Sequence, residues 1–293
     1  MKKNRWLIVA ISSLVLSSCS QYNQEPASDG QQEQEEPSDN ETSAPSDSSL
    51  SNDEQDEQED QEPSEDDELP EDETEDQNEE DTMSLPSEYF NEIEEVDGQP
   101  VIQNPDNILT FVNHDYHLPS DYVPEDLVIP DVKFSYGHQD IPKSYMREEA
   151  AGALEALFAG AKEENIELAA VSGYRSYDRQ QELYDQAVAR SGADQEFVAN
   201  PGSSEHQSGL AMDVSSASVN YGLVQEYEDT EEGQWLADNA HHFGFIIRYQ
   251  KEKEDITGYG YEPWHLRYVG EAAIEIYENQ LALEEFFDLV KEI

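Results

Sequence analysis

Residues 203–214 read SSEHQSGLAMDV. His206 and Asp213 stand seven positions apart in this stretch, separated by small and flexible residues. Its second half continues as GLAMDVSS (209–216), a short apolar run bounded by turn formers, which is the pattern of a strand. A loop that folds back ahead of such a strand brings both side chains to one spot. The pair is then either a local hydrogen bond in a loop or two of the groups around something cationic.

A further pair of groups comes late in the chain, in GYEPWHLRYVG (260–270). His265 lies there with Glu262 three residues before it, and Pro263 and Trp264 form a stiff link between them. Two imidazoles and one carboxylate match a catalytic zinc site with three protein ligands and an open position. Imidazole nitrogen and carboxylate oxygen suit Zn²⁺. A water in the open position has its pKa lowered to roughly 7, and a neighbouring glutamate can act as its general base. Each piece alone is weak. A lone strand histidine is more often a satisfied core residue, and an aspartate at a strand end is more often a turn or cap. Nothing in the sequence places His114, His117, His138, His241 or His242 around a common point. The last two end a predicted helix, where the dipole favours histidine.

Composition divides the chain. Residues 23–82 hold 27 Asp and Glu and no Lys or Arg. Such a segment cannot bury enough apolar surface to offset its ordering entropy, and its charges repel one another. It reads as a disordered, extended spacer. Residues 83–293 carry 42 acids against 12 bases, a net −30 within a total of −54. That surface argues against nucleic acid as a partner, because phosphate binding needs Lys and Arg patches. The acidity itself speaks to solubility rather than to fold.

The first residues are different again. MKKNRW is a basic n-region and LIVAISSLVL a short apolar h-region, the pattern of a secretory signal. Leu16, Ser17, Ser18 and Cys19 resemble the lipobox of bacterial lipoproteins, which implies cleavage before Cys19 and a diacylglycerol on it. Cys19 is the sole cysteine, so no intrachain disulfide forms. The expected organisation is a signal peptide over 1–18, an acidic linker over 19–83 anchored at Cys19, and one folded domain over 84–293. Two acyl chains give stable anchoring, which places the domain outside the cell on the cytoplasmic membrane, facing the wall.

Within the domain, residues 84–142 are rich in Pro, Asn, Asp and Tyr and are expected to wrap irregularly on the core, with ILTFVN (108–113) and LVIPDVKF (127–134) as short strands or extended segments. Apolar residues recur at helical spacing over 144–166. ELAAVSGYR (167–175) reads as a buried strand. A helix follows from Ser176, suited to N-capping, to Gly192. TEEGQWLADNAHHFGF (230–245) reads as a helix ended near Gly244, FIIRYQ (245–250) and PWHLRYVG (263–270) as strands, and 270–293 as a closing helix or helix pair. This mixture predicts an α+β domain with a small antiparallel sheet flanked by helices.

SSEHQSGLAMDV also fits S-x-H-x-x-G-x-A-x-D, with Ser204, His206, Gly209, Ala211 and Asp213 in place. EPWH (262–265) fits a second block and SGYRSYDRQ (172–180) a third, while FVNHDYHLPSDYVPEDLV (111–128) is similar to the N-terminal region of the same family. Together they resemble the VanY-type D-alanyl-D-alanine carboxypeptidases, a family that includes LdcB-type L,D-carboxypeptidases, over about residues 108–290. The resemblance implies a single zinc-peptidase domain in which His206, Asp213 and His265 bind zinc and Glu262 is the catalytic base. It implies that Arg175 binds the substrate's terminal carboxylate, and that Gln180 and Ser204 line the substrate site. A guanidinium suits that task as a planar, bidentate carboxylate partner. Tyr174 and Tyr177 are expected to pack around Arg175, and Trp264 either to wall the pocket or to fill the core.

The function so implied is removal of the C-terminal D-alanine from peptidoglycan stem peptides by a monomeric, lipid-anchored enzyme. D,D-cleavage of a pentapeptide stem is favoured slightly over L,D-cleavage of a tetrapeptide stem. A reading from another class is a wall-binding lipoprotein without turnover, against which the intact set of His206, Asp213, Glu262 and His265 argues.

Overall fold

The computed structural model describes residues 83–192 and 198–293. The expected signal peptide, Cys19 and the expected acidic linker, Met83 apart, lie outside the described residues. Short pieces come first: β1 (Ser84–Leu85), β2 (Ile93–Val96), β3 (Gln99–Ile102), β4 (Leu127–Val128) and β5 (Met146–Arg147). β2 and β3 form an antiparallel hairpin turned by Asp97 and Gly98, both at positive φ (53° and 81°). An Asp-Gly pair supplies the two left-handed residues that such a turn needs. The irregular wrapping expected over 84–142 is therefore corrected in part, because this segment carries a regular hairpin whose β2 strand is exposed throughout. ILTFVN forms no strand, although Leu109, Thr110 and Val112 are buried. From LVIPDVKF, β4 pairs with β5 and Phe134 makes a single bridge to Ala170.

Helix α1 (Glu148–Glu163) buries Ala150, Ala151, Leu154, Leu157 and Ala161 along one stripe. Glu148 and Glu149 in its first turn complement the helix dipole. The helix starts later than the apolar spacing implies, because Ser144 belongs to a 3-10 turn opened by Pro142 and Met146–Arg147 pairs with β4. After β6 (Leu168–Ser172), helix α2 (Tyr177–Ser191) begins where Ser176 Oγ accepts from the Arg179 N–H at 3.3 Å, and it ends at Gly192. Then come β7 (Ala211–Ser216) and α3 (Glu231–Asn239), the latter capped by Thr230. The order closes with β8 (Phe245–Ile247), α4 (Glu254–Thr257), β9 (His265–Tyr268), α5 (Ala272–Glu278), α6 (Leu283–Leu289) and β10 (Lys291–Glu292). The closing helix is thus a pair, broken at Gln280 with φ 53°. β10 pairs in parallel with β1.

The central sheet has the order β6-β7-β9-β8, and every neighbouring pair is antiparallel. Side chains alternate across a strand, and this sheet uses the alternation to separate core from chemistry. Met212 and Val214 of β7 and Leu266 of β9 join Leu154 and Leu157 of α1 and Leu236 of α3 in the main apolar core. Asp213 and His265, at the alternate positions, face the other way. A second cluster links α5 and α6 to the sheet through Ile246, Val269, Ile276, Leu283 and Phe286. The fold is the expected mixture of helices with a small antiparallel sheet.

Candidate metal centre and active-site cleft

Asp213 is the third residue of β7 and His265 the first of β9, and the ladder places them directly opposite each other. His206 arrives from a 3-10 turn (Glu205–Ser208) that packs against the same face. Gly209 then reverses the chain into β7 at φ 70°, a left-handed conformation that favours glycine. Asp213 Oδ1 lies 3.0 Å from His265 Nδ1, and Asp213 Oδ2 lies 3.4 Å from His206 Nε2. The two imidazole rings meet edge to face, 4.9 Å between centroids. One donor atom from each residue lies within 4.8 Å of the other two, so the three can hold a metal ion.

His206 is oriented by backbone. A carbonyl only accepts, so the 2.9 Å contact between His206 Nδ1 and the Gly173 oxygen makes Nδ1 the protonated nitrogen and leaves Nε2 with a free lone pair. Gly173 follows β6, and a Cβ at this position would collide with the Tyr145 carbonyl oxygen. The glycine is therefore needed for close approach.

Burial lowers the His206 pKa and keeps its ring neutral, although Asp213 acts the other way. Burial alone would raise the Asp213 carboxyl, yet His206 and His265 hold it well below the usual carboxylate range. Burial also opposes charge on His265, but its hydrogen bonds to Asp213 and Glu205 raise it to about 9.

Glu262 sits in the turn before β9, with its Oε2 3.9 Å from His265 Nδ1. Burial pushes its pKa up to about 7, with Asp213 adding to the rise and His265 and Arg175 opposing it. A carboxyl near neutral pH can take up a proton and return it. Arg175 comes from the turn after β6, fixed by its own N–H donating to the His206 carbonyl oxygen at 3.1 Å. Its Nη1 donates to Gln180 Oε1 at 3.0 Å and its Nη2 to Ser172 Oγ at 3.4 Å. Arg175 forms no ion pair among the described residues, so donors of a partly buried guanidinium remain open to a ligand. Gln180 is itself held by donating to the Ala199 carbonyl oxygen at 2.7 Å.

These groups share one cleft of about 280 Å³. Arg175, Gln180, Ser204, His206, Asp213, Glu262 and His265 all line it. Every predicted site residue within the described part of the chain is thus brought together, while Cys19 lies outside it. Trp264 lines the cleft and also packs against the main core, so both of its expected roles hold. The other histidines stand apart: His114 stacks on Tyr259, His117 contacts Ser203, and His241 stacks on Tyr277.

One group that sequence reasoning passed over is Glu205, between Ser204 and His206. It is 1% exposed, and its Oε2 lies 3.3 Å from His265 Nε2. Its partners Arg248 and Arg267 went unnoticed as well. The available signal was an arginine inside each of two apolar stretches, FIIRYQ and HLRYVG, since a buried charge needs an opposite charge beside it.

Residues 143–271 match a family model described as VanY, D-alanyl-D-alanine carboxypeptidase. The chain is 56% identical over 214 residues to YodJ of Bacillus subtilis (strain 168), covering 72% of this chain and 78% of that protein. It is 39% identical over 150 residues to a D-alanyl-D-alanine carboxypeptidase of Enterococcus faecalis (strain ATCC 700802 / V583), covering 47% of this chain and 54% of the relative. Among solved structures it is similar to the LdcB LD-carboxypeptidase, with a TM-score of 0.70 and 57% identity over 72% of this chain and all of the other. The matched residues hold the four strands of the central sheet and the metal-centre and cleft residues named above, and with the 56% identity to YodJ over 78% of its length the chain belongs to the VanY family of D-alanyl-D-alanine carboxypeptidases.

Proposed function

We propose that this protein is a zinc-dependent carboxypeptidase that removes the terminal D-alanine from peptidoglycan stem peptides. The observation that carries the reading is the placement, in one cleft, of a His-Asp-His donor set beside Glu262 and Arg175, which has no ion-pair partner among the described residues. The donor set suits zinc: two imidazole nitrogens and one carboxylate oxygen leave a coordination position open. His206, His265 and Asp213 would hold the ion, with His206 Nε2 and His265 Nδ1 the nitrogens that face Asp213. Bound there, zinc supplies a Lewis acid for the scissile carbonyl and lowers the pKa of a water molecule to roughly 7.

The chain's own groups do the rest. Arg175 receives the terminal carboxylate of the substrate, with Gln180 holding the guanidinium in place. A fixed chain end sets the last peptide bond beside Glu262. Glu262 takes the proton of the attacking water and delivers it to the departing amine. Its raised pKa suits both transfers. Ser204 and Trp264 wall the cleft.

The sequence alone leans towards D,D-cleavage of pentapeptide stems. The 57% identity to an LD-carboxypeptidase whose structure concerns peptidoglycan recognition weighs towards L,D-cleavage of tetrapeptide stems, and that is the specificity proposed. The likeness to an enterococcal D-alanyl-D-alanine carboxypeptidase keeps D,D-cleavage as the second reading. The lipobox at Leu16–Cys19 supports a lipid-anchored protein that meets its substrate outside the cell.

The test incubates the full chain, with and without a chelator, with synthetic tetrapeptide and pentapeptide stems and weighs the products. Loss of one alanine from the tetrapeptide, abolished by the chelator, is expected. Loss from the pentapeptide alone would establish the second reading. Unchanged peptides in both cases would reject the enzyme and favour a wall-binding protein.

A further inference from the structure

Four charged side chains with no part in the proposed chemistry are packed against the metal centre, and one of them, Glu205, also lines the cleft. Glu205, Arg248 and Arg267 are 1%, 0% and 0% exposed. Desolvating an ion costs several kcal/mol unless partners surround it. Here they do. Glu205 Oε1 accepts from Arg248 Nε and Arg267 Nη1, each at 2.8 Å. The other two nitrogens of Arg248 donate to Glu284 of α6 at 2.8 and 2.6 Å. Arg267 spends its remaining nitrogens on backbone, with Nη2 donating to the Thr110 oxygen at 2.8 Å and Nε to the Tyr268 oxygen at 3.0 Å. Glu205 is thus clamped through one oxygen, and its Oε2 is directed at His265 Nε2, 3.3 Å away.

An imidazole can coordinate through either nitrogen, and which one it uses follows from the hydrogen bond the other makes. Both nitrogens of His265 face a carboxylate: Nδ1 faces Asp213 and Nε2 faces Glu205. The two carboxylates are not equivalent. Asp213 bridges to the second histidine, whereas Glu205 is tied to two arginines and stands outside the donor group.

We infer that Glu205, held by Arg248 and Arg267, is a positioning residue that takes the Nε2–H of His265 and thereby makes Nδ1 the metal-binding nitrogen. The arginines keep the Glu205 carboxylate from becoming a ligand itself. His206 is set in the opposite sense, by donating Nδ1–H to the Gly173 carbonyl oxygen and leaving Nε2 free. The two histidines therefore present unlike nitrogens, one oriented by backbone and the other by a buried carboxylate that the closing helix pair reaches through Glu284. Groups that orient a ligand in this way are typically worth about 10–100-fold in metal affinity.

The inference rests on the metal-binding reading above, and the experiment separates the two. In the full chain labelled with ¹⁵N-histidine and titrated with zinc, long-range ¹H–¹⁵N spectra report each ring nitrogen. The expected pattern is a metal-shifted Nδ1 with a protonated Nε2 on His265, and the reverse on His206. Zinc bound through His265 Nε2, or an Nε2 without its proton, would overturn the inference while leaving the metal site standing. No shift on either ring would reject the metal site. As a second readout, Glu205→Gln keeps the shape but removes the charge, and competition with a chelator should show zinc affinity reduced by about 10–100-fold. A folded variant with unchanged affinity and spectrum would also overturn it, and if the variant does not fold the unmutated spectrum decides alone.

Discussion

Asp213 and His265 are cross-strand partners: they face each other in the β7–β9 ladder, with Asp213 Oδ1 3.0 Å from His265 Nδ1. Two of the three candidate metal ligands are therefore positioned by backbone hydrogen bonding rather than by loops. A one-residue slip between these strands would turn one of them towards the apolar core. The core packing of Met212, Val214 and Leu266 resists that slip, so the same residues that stabilise the sheet fix the site.

Glu262→Gln removes the proton carrier with almost no change of shape. Because Glu262 is outside the donor set, zinc content should match the unmutated protein, while kcat falls by about 10²–10⁴-fold. Metal analysis together with peptide turnover checks this, and an unmutated rate would refute the assigned role.

Arg175→Ala should act on recognition of the chain end. Hydrogen bonds to charged groups contribute about 1.5–3 kcal/mol, so KM for a peptide with a free terminus should rise by at least tenfold. An amidated peptide separates this from general damage. The unmutated enzyme should discriminate strongly against the amide, and the variant should treat both peptides alike.

The metal-free protein should lose stability as pH rises from 7 to 9. His265 is raised from 6.5 to about 9 in the folded state. Its contribution is therefore fully present below pH 6.5 and lost as pH rises through 9, by an amount on the order of 3 kcal/mol. Asp213 and Glu205 are depressed, so their contributions are lost only in acid, as pH falls from the ordinary carboxylate range towards their folded values. Thermal unfolding in a chelating buffer should show Tm falling between pH 7 and pH 9. A flat profile there would contradict the doubly bonded, protonated His265.

Gly173→Ala places a methyl group against the Tyr145 carbonyl oxygen. The backbone must shift, and the carbonyl that orients His206 shifts with it. Crowding of this kind costs about 1–3 kcal/mol. Both Tm and zinc affinity should fall, whereas Gly152→Ala, inside helix α1 with open space around its Cβ position, should leave zinc affinity unchanged and raise Tm slightly.

Local sequence carried the family, the candidate metal ligands and several boundaries. Ser176 and Gly192 delimit α2, and the blocks around His206, Asp213, Glu262 and His265 identify the site, because caps and motif spacings are local properties of the chain. The Asp97–Gly98 turn is just as local, yet the reading of residues 84–142 as irregular passed over it and the hairpin it closes.

Tertiary structure alone decided the register that opposes Asp213 to His265, the nitrogen each histidine presents, and the buried set of Glu205, Arg248, Arg267 and Glu284. Glu205 meets Arg248, His265 and Arg267 across 43, 60 and 62 residues of sequence. No periodicity or short motif encodes such a meeting. It exists because desolvated charges must find their opposites, and which opposites are within reach is set only when the strands have paired.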